Sequence, residues 1–487
     1  MESLRPQSPV TVPSERTTPL PQPLSVPLSG RIPAGQSTDL PAQSATPFSD
    51  SDQLQAPASR SPIQAVLSLW QDEPVVISST DKQAAAALLE RTRKGYHPTV
   101  EEMGAYRRVA KASQDLPKVD TLAETVPTMQ TIFARLDRDK SGFLADPEIK
   151  AARLNPSFKG REAVALTTLL KLNKSIQKLS LNEWKQQSGT HLKDLSALGR
   201  RAAKEEPSKW TLYVESYVFN QGIKLRQIDQ RLFPQGVASI RPDHIQQGEY
   251  GTCTILAAAA AMAANPAGKQ ALFEMFKEKP DGSFLVEFPG EKPVAVKRPT
   301  DSELILHASS GPDGLWLSVL EKAFVKRMES QMQGKSEDEV EKAVNSGYYL
   351  SEGIRLLTGH KAQDGSIPGT PLPQLRSFVA QTVAENRVLL VTLNPDSAQA
   401  KDKALKEKTK RNEEIYADGL VGLHAYSVIG FDPTTDTIKL RNPWNHTELL
   451  GKNGKPADGV DDGVFSVKME DFQKLFSDIA WQTREKG

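Results

Sequence analysis

The sequence predicts an α+β protein, with helices in its first half and strands in its second. Between residues 64 and 235, alanine, leucine and charged residues recur at helical spacing, and glycine and proline punctuate them. From about residue 236 onwards, short β-rich runs such as RVLLVTL, HAYSVIGF and TIKLRNP appear between amphipathic helical stretches. Helices early and strands late are typical of the α+β class.

Length and composition set the limits within which a function must lie. A chain of 487 residues suggests two to four domains. A net charge of +1, with charged residues at 25%, argues against a nucleic-acid partner, and no apolar run is long enough for a membrane span. With one cysteine and no visible signal peptide, we expect a soluble, cytoplasmic protein; export by a specialised secretion system is the alternative.

The first part of the chain is predicted to be a tail followed by helices. Residues 1–63 are rich in Pro, Ser, Thr and Gln and hold few large apolar residues, which predicts a disordered tail. Such a tail is typical of linkers and partner-binding segments, and a secretion address is the alternative. Residues 64–118 are predicted to form a helical segment, and residues 188–235 a helical connection.

A twelve-residue loop at residues 137–148 carries oxygen ligands at the spacing that calcium requires. The ligands at positions 1, 3, 5, 7 and 12 are Asp137, Asp139, Ser141, the carbonyl of Phe143, and Glu148. Gly142 at the sixth position allows the sharp turn, because glycine tolerates positive φ. We therefore predict a Ca²⁺ site of the EF-hand type. The alternative is a surface turn that is merely rich in Asp and Gly.

A second stretch, LNKSIQKLSLNEW, repeats the phase of this loop about 35 residues later. Leu179 would be its eighth residue and Glu183 its twelfth, whereas Leu172, Lys174 and Ile176 would fall at positions that cannot hold calcium. Since EF-hands usually pair, residues 119–187 are predicted to form a pair whose second hand is degenerate. An unrelated helical hairpin is the alternative.

The only cysteine, Cys253, lies where an alanine-rich helix, ILAAAAAMAA, is predicted to begin. The unpaired N–H groups and positive dipole of a helix N-terminus lower the pKa of a thiol, which makes the thiol a nucleophile. Gln247 precedes it by six residues, across a turn. Its amide can donate to a developing oxyanion alongside the backbone N–H of Cys253.

An imidazole and an amide complete this candidate site. His424 follows a glycine-flanked turn on an apolar strand, where its ring can take the thiol proton and return it to a leaving amine. Asn442 ends the next strand, and its carboxamide oxygen can hold the Nδ1–H of His424. The loop FDPTTDT between the two strands predicts a hairpin that brings His424 and Asn442 together.

The chain order Cys, His, Asn resembles a papain-like cysteine protease. The strings QGEYGTC, GLWLSVLEKAF, SEGIRLLTG, GLVGLHAYSV and RNPW are similar to the calpain catalytic core, over about residues 236 to 485. The resemblance implies a two-part core, with the cysteine in a helical part at 236–358 and the histidine and asparagine in a β-rich part at 359–487. It also implies calcium-dependent, limited proteolysis of protein or peptide substrates through an acyl-enzyme on Cys253.

The sequence departs from the calpain pattern around the cysteine and before the histidine. Thr252 and Thr254 replace the usual Asp and Trp, and the loss of the Trp is expected to remove a bulky wall beside the nucleophile. The charged segment at 398–419 is predicted to be a solvated loop over the cleft, with a lid or a cleavage site as alternatives. Two other functions stay open: a calcium-regulated binding scaffold with an inactive protease fold, and an acyltransferase that uses the same nucleophile.

Overall fold

The computed structural model describes residues 77–486 apart from 94, 95, 97, 178–188, 205, 206, 348, 402 and 409–412. Over these residues the chain is a mixed fold of helices and three antiparallel sheets. No helix among them has the length and apolar content that crossing a membrane requires. The tail predicted at 1–63 and the first predicted helix after it lie outside the described residues.

The first part of the described chain is helical. Its helices are α1 (Ser79–Arg93), α2 (Val100–Ala112), α3 (Leu122–Leu136), α4 (Asp146–Ala152), α5 (Arg161–Ile176), α6 (Leu192–Ala202) and α7 (Lys209–Gln227). Helices α2 and α3 each begin at a capping box, Thr99 with Glu102 and Thr121 with Glu124, which satisfies backbone N–H groups that the first turn leaves unpaired. The apolar faces of α3 to α7 share one core.

The predicted register of the second loop is wrong. Leu172 and Ile176 lie in α5 on the face that packs into this core, so burying them continues the helix where the prediction had a loop. Leu144, the eighth residue of the first loop, pairs instead with Thr190, which lies two residues before α6. The predicted partner, Leu179, lies outside the described residues, as does Glu183.

Two basic residues at helix α4, which follows the acidic loop, form ion pairs with acidic residues at 337–341. Lys150 Nζ lies 2.6 Å from Asp338 Oδ1 and 3.1 Å from Glu341 Oε2, and Arg153 lies 2.5 Å from Glu337. All three acids belong to one helix, α12 (Glu337–Asn345). The helical region therefore rests on this helix.

The chain from residue 253 to 358 surrounds one alanine-rich helix. Its elements are α8 (Cys253–Ala263), α9 (Pro266–Glu274), β1 (Phe276–Glu278), β2 (Phe284–Val286), β3 (Val294–Val296), α10 (Asp301–Leu306), α11 (Trp316–Gln331), α12 and α13 (Leu350–Thr358). Every residue of α8 is buried, and its alanines let neighbouring elements approach closely. Helix α13 ends at Gly359, whose φ of 67° is the left-handed conformation that commonly stops a helix.

A six-stranded antiparallel sheet dominates the last part of the chain. Its order is β11-β10-β9-β5-β12-β4, formed by β4 (His360–Ser366), β5 (Leu389–Thr392), β9 (Ala425–Asp432), β10 (Thr437–Arg441), β11 (Val464–Lys468) and β12 (Asp478–Lys486), with α14 (Leu372–Ala384) and α16 (Met469–Leu475) as its helices. The predicted hairpin is confirmed, since β9 and β10 pair antiparallel around the loop FDPTTDT. Strand β9 packs on α8, where Ser427 Oγ donates to the carbonyl of Ala257 at 2.7 Å.

The charged segment at 398–419 is not wholly a solvated loop. It contains the short helix α15 (Ala398–Lys401) and two strands of a small antiparallel sheet, β6 (Leu405–Lys408) and β7 (Glu414–Tyr416), completed by β8 (Val421–Gly422). Ala400 and Tyr416 are buried, and these apolar anchors explain why part of the segment packs against the protein despite its charge.

Candidate functional site

Cys253 is the first residue of α8, as predicted, and its side chain is buried. The turn before it is held by Asn345, whose Oδ1 accepts a hydrogen bond from the backbone N–H of Gly251 at 2.8 Å. A side chain at 251 would collide with this neighbour, because a Cβ there would lie 2.8 Å from the Cα of Asn345. Glycine is therefore required at the turn that orients the thiol.

Thr252 belongs to a buried polar network. Its Oγ1 donates to Glu321 Oε1 at 2.5 Å, and Glu321 Oε2 lies 2.8 Å from His307 Nδ1. All three side chains are buried. A neutral hydroxyl suits this position, since an aspartate would place a second carboxylate against buried Glu321.

Thr254 also has a packing role. It is 2% exposed and lies against Gly353 of α13, where an added Cβ would come within 2.7 Å of Thr254 Cγ2. The side chain of Thr254 is enclosed between α8 and α13, and the expectation that loss of the usual Trp removes a wall beside the nucleophile stays a prediction. There is no room here for a larger residue without moving a helix.

The hairpin brings His424 and Asn442 into contact. His424 Nε2 lies 2.7 Å from Asn442 Oδ1, which also accepts the backbone N–H of Trp444 at 2.9 Å. The amide nitrogen of Asn442 donates to the carbonyl of Thr447 at 2.7 Å, so the orientation of the amide is fixed. The predicted contact through Nδ1 is wrong: Asn442 holds the ring at Nε2, which leaves Nδ1 on the side of Cys253.

An aromatic side chain shields this imidazole–amide pair. The indole of Trp444 lies 4.6 Å from the ring of His424, measured between centroids, and both residues are buried with Asn442. Exclusion of water strengthens the hydrogen bond between the ring and the amide.

Cys253 and His424 interact directly, and their charges stabilise each other. Burial alone disfavours the thiolate, but the imidazole of His424, with the backbone N–H of Ala425, lowers the pKa of Cys253 below its ordinary value. Burial likewise disfavours the charged imidazole, yet contacts with Cys253 and Glu413 raise the pKa of His424 to about 9. The site therefore favours a thiolate beside an imidazolium.

Glu413 is a neighbour of His424 that the sequence did not single out. Its Oε1 lies 3.4 Å from His424 Nδ1, and its side chain is 5% exposed. Nothing in the string RNEEIYADG separates Glu413 from Glu414 beside it, so only the folded arrangement identifies it.

Gln247 is buried beside the strand end that carries Asn442. Its backbone N–H donates to the carbonyl of Pro443 at 2.8 Å, and its side-chain nitrogen donates to the carbonyl of Tyr250 at 2.7 Å. The turn before Cys253 therefore engages one N–H of this amide, and the amide nitrogen carries a second N–H.

Arg441 is a second residue that sequence reasoning missed, although it belongs to the quoted string RNPW. Its guanidinium is fully buried and donates to Ile245 O at 2.7 Å, to Asn445 Oδ1 at 2.8 Å and to Asn442 O at 3.1 Å, and it also contacts the carbonyl of Pro242. It thereby ties the end of β10 to the segment that precedes the cysteine.

The acidic loop at 137–148 gathers its carboxylates as predicted from the spacing. One oxygen each of Asp137, Asp139 and Glu148 lies within 4.8 Å of the others. Ser141 Oγ lies 3.0 Å from the carbonyl of Phe143 and 3.5 Å from Asp137 Oδ1, so all five predicted ligands are adjacent. The loop turns at a glycine in the sixth position with a φ of 82°.

Comparison with known proteins identifies the family. A model of the calpain family cysteine protease matches residues 224–481. Relatives include calpain-13 of Rattus norvegicus (26% identical over 263 residues), the calpain-2 catalytic subunit of Rattus norvegicus (27% over 264) and calpain-5 of Mus musculus (26% over 296). These alignments cover 48%, 48% and 52% of this chain and 36%, 34% and 43% of the relatives, so the chain spans less than half of their length. With the family model extending over more than half of its residues, this chain belongs to the calpain family of cysteine proteases.

Proposed function

We propose that this protein is a cysteine endopeptidase that cleaves protein or peptide substrates at a limited number of sites through an acyl-enzyme on Cys253. The observation that carries the proposal is the buried interaction of Cys253 with His424, whose ring Asn442 holds from the other side. A paired thiolate and imidazolium is the form of cysteine that attacks a carbonyl carbon.

In the first half of the reaction, the Cys253 sulfur attacks the scissile carbonyl and a C–S bond forms. The oxyanion accepts hydrogen bonds from the backbone N–H of Cys253, at the N-terminus of α8, and from the amide of Gln247. His424 then donates its Nδ1 proton to the leaving amine, and the C–N bond breaks. Asn442 keeps the ring in position throughout by accepting from Nε2.

In the second half, water enters where the amine has left. His424 accepts a proton from this water, the resulting oxygen attacks the acyl carbon, and the C–S bond breaks to release the carboxylic acid. Loss of one oxyanion donor costs about 10²–10³ in rate. Gln247→Ala is therefore expected to lower kcat by about that factor while leaving the thiolate in place.

The test compares the wild-type protein with Cys253→Ala on fluorogenic peptides, with calcium and with a chelator. Hydrolysis that disappears in the alanine variant, while circular dichroism and the melting temperature are retained, supports the proposal. The control is Thr254→Ser, a substitution of the residue that follows Cys253 in α8, and this variant should retain hydrolysis.

Two outcomes would favour the other functions. Equal turnover by wild type and Cys253→Ala would refute the role of Cys253, and no turnover by either while substrate proteins still bind would favour an inactive binding scaffold. An added amine appearing in the product in preference to water, detected by mass spectrometry, would favour an acyltransferase.

We further propose that the loop at 137–148 binds Ca²⁺ and that the ion regulates the protease. Five adjacent oxygen ligands, three of them carboxylates, form the hard donor set that calcium prefers. The carboxylate of Glu148 already accepts the backbone N–H groups of Arg138 and Ala145 at 2.8 and 3.1 Å, which holds the two ends of the loop together.

Titration calorimetry tests this second proposal. Binding heat in the wild type that is lost in Glu148→Gln supports a calcium site. Asp146→Asn is the control, because Asp146 belongs to the same loop but accepts a hydrogen bond from Asn173 at 2.6 Å. Identical heats for the wild type and Glu148→Gln would contradict the assignment.

A further inference from the structure

Glu413 brings a second negative group to the ring of the proposed catalytic base. Its carboxylate lies 3.4 Å from His424 Nδ1, and the two side chains are 5% and 0% exposed. The contact is anchored on the backbone, since Glu414 pairs with Gly422 in the small sheet, two residues before His424. Glu413 and His424 therefore flank two paired strands of one small sheet, β7 and β8, and this pairing places the carboxylate near the ring.

The two nitrogens of His424 have different surroundings. Nε2 is bound to Asn442, whereas Nδ1 faces both Cys253 and Glu413. Among the described residues, Nδ1 meets no acceptor in strict hydrogen-bond geometry. A proton on Nδ1 consequently lies between a sulfur and a carboxylate, each of which favours the charged ring.

Among the described residues, the titratable groups around the ring come from three parts of the chain. Cys253 begins α8, Glu413 precedes β7, and Tyr426 lies on β9 with its ring at 5.4 Å from that of His424. Burial raises the pKa of Tyr426 far above its ordinary value, so the phenol stays neutral. Of the residues that the structure describes, Glu413 and Cys253 are then the groups whose charges raise the pKa of His424.

We propose that Glu413 is a positioning residue that keeps His424 in its imidazolium form beside the Cys253 thiolate. The inference rests on the proposed protease function and adds to it a carboxylate acting on the ring nitrogen that handles the proton. An anion in contact with a buried imidazole stabilises the cation, and leaving either charge buried alone would be costly.

The same carboxylate acts on Cys253 with the opposite sign. Its negative charge raises the pKa of the thiol, but this effect is weaker than the lowering by His424, and the pKa of Cys253 still lies below its ordinary value. The carboxylate therefore supports the ion pair mainly through its cation. In consequence the ion pair persists to a higher pH than it would between Cys253 and His424 without Glu413.

The experiment measures the titration of His424 directly. The protein is labelled with ¹⁵N-histidine, and the ring signal of His424 is assigned as the one missing from His424→Ala. Glu413→Gln should lower the pKa of His424 by about one unit or more. Glu413→Asp keeps the charge and should restore part of the shift, and it also serves if the glutamine variant folds poorly. Glu414→Gln is the control and should leave the titration unchanged, because the Glu414 carboxylate contacts Tyr416 instead.

A second readout uses the reaction. The alkaline limb of the pH profile of peptide kcat/KM should move to lower pH in Glu413→Gln by the same amount as the NMR titration. A His424 titration that is identical in wild type and Glu413→Gln would overturn the inference. Failure of the protease proposal is seen separately, as equal turnover by wild type and Cys253→Ala, because the histidine titration needs no substrate.

Discussion

Replacement of Arg441 by methionine should separate the end of β10 from the segment that precedes the nucleophile. The guanidinium serves four acceptors: the carbonyls of Pro242, Ile245 and Asn442, and the side-chain oxygen of Asn445. Methionine fills much of the space without donating. At about 1 kcal/mol for each buried acceptor left unpaired, the free energy of unfolding should fall by about 4 kcal/mol.

Kinetics should reveal the local part of this loss. The carbonyl of Pro443, two residues beyond Arg441, accepts the backbone N–H of Gln247, so a displaced strand end moves the proposed oxyanion donor. In protein still folded at low temperature, we expect Arg441→Met to lower kcat by about tenfold or more, since small misplacements of reacting groups are costly. Arg441→Lys keeps the charge but donates to fewer acceptors, so it should lower the free energy of unfolding and kcat by less than Arg441→Met does.

Urea denaturation followed by tryptophan fluorescence measures the stability of the three proteins, and peptide hydrolysis measures kcat. If Arg441→Met unfolds within about 1 kcal/mol of the wild type and keeps its kcat, the argument that this arginine holds the two segments together is refuted.

Three further predictions concern stability. Gly353→Ala should lower the free energy of unfolding by about 1–3 kcal/mol because the new methyl meets Thr254, and Thr254→Ser should restore part of it; no rescue in urea titrations would contradict this contact. Ser427→Ala should cost about 0.5–1.5 kcal/mol, because it removes a buried hydrogen bond to the carbonyl of Ala257, which keeps its bond within α8; an unchanged denaturation midpoint would count against it. Burial and the neighbouring acids raise the pKa of Glu448 from 4.5 to about 8, so the folded state retains a proton that the unfolded state releases. The free energy of unfolding should therefore fall by about 2–4 kcal/mol as the pH rises from 4.5 to about 8. If Glu448→Gln shows the same pH dependence as the wild type, Glu448 is not the cause.

Local patterns predicted the elements of this fold well where packing and pattern agree. The hairpin that carries His424 and Asn442 follows from two apolar strands around FDPTTDT, and the start of α8 at Cys253 follows from a turn glycine before an alanine run. Both features depend on residues close together in sequence. They need no knowledge of the rest of the molecule.

Features that depend on distant contacts were missed or misplaced. Asn442 contacts Nε2 of His424 because α8 approaches the ring from the side of Nδ1. The residues around His424 in the sequence do not indicate this direction of approach. Leu172 and Ile176 matched a loop phase but were drawn into the helical core by burial. The contacts of Glu413 and Arg441 are made only when separate segments meet, which single-sequence reasoning does not reach.

Helix α12 has a consequence for how two distant parts of the chain depend on each other. One end receives Lys150 and Arg153 from the helix that leaves the acidic loop, and the other end holds Gly251 through Asn345. A shift of this nine-residue helix is therefore expected to move the turn at Gly251, two residues before Cys253. The upstream helical region and the turn before the nucleophile therefore contact the same helix, α12. Substitutions within α12 are expected to affect both regions, although they alter no residue of either.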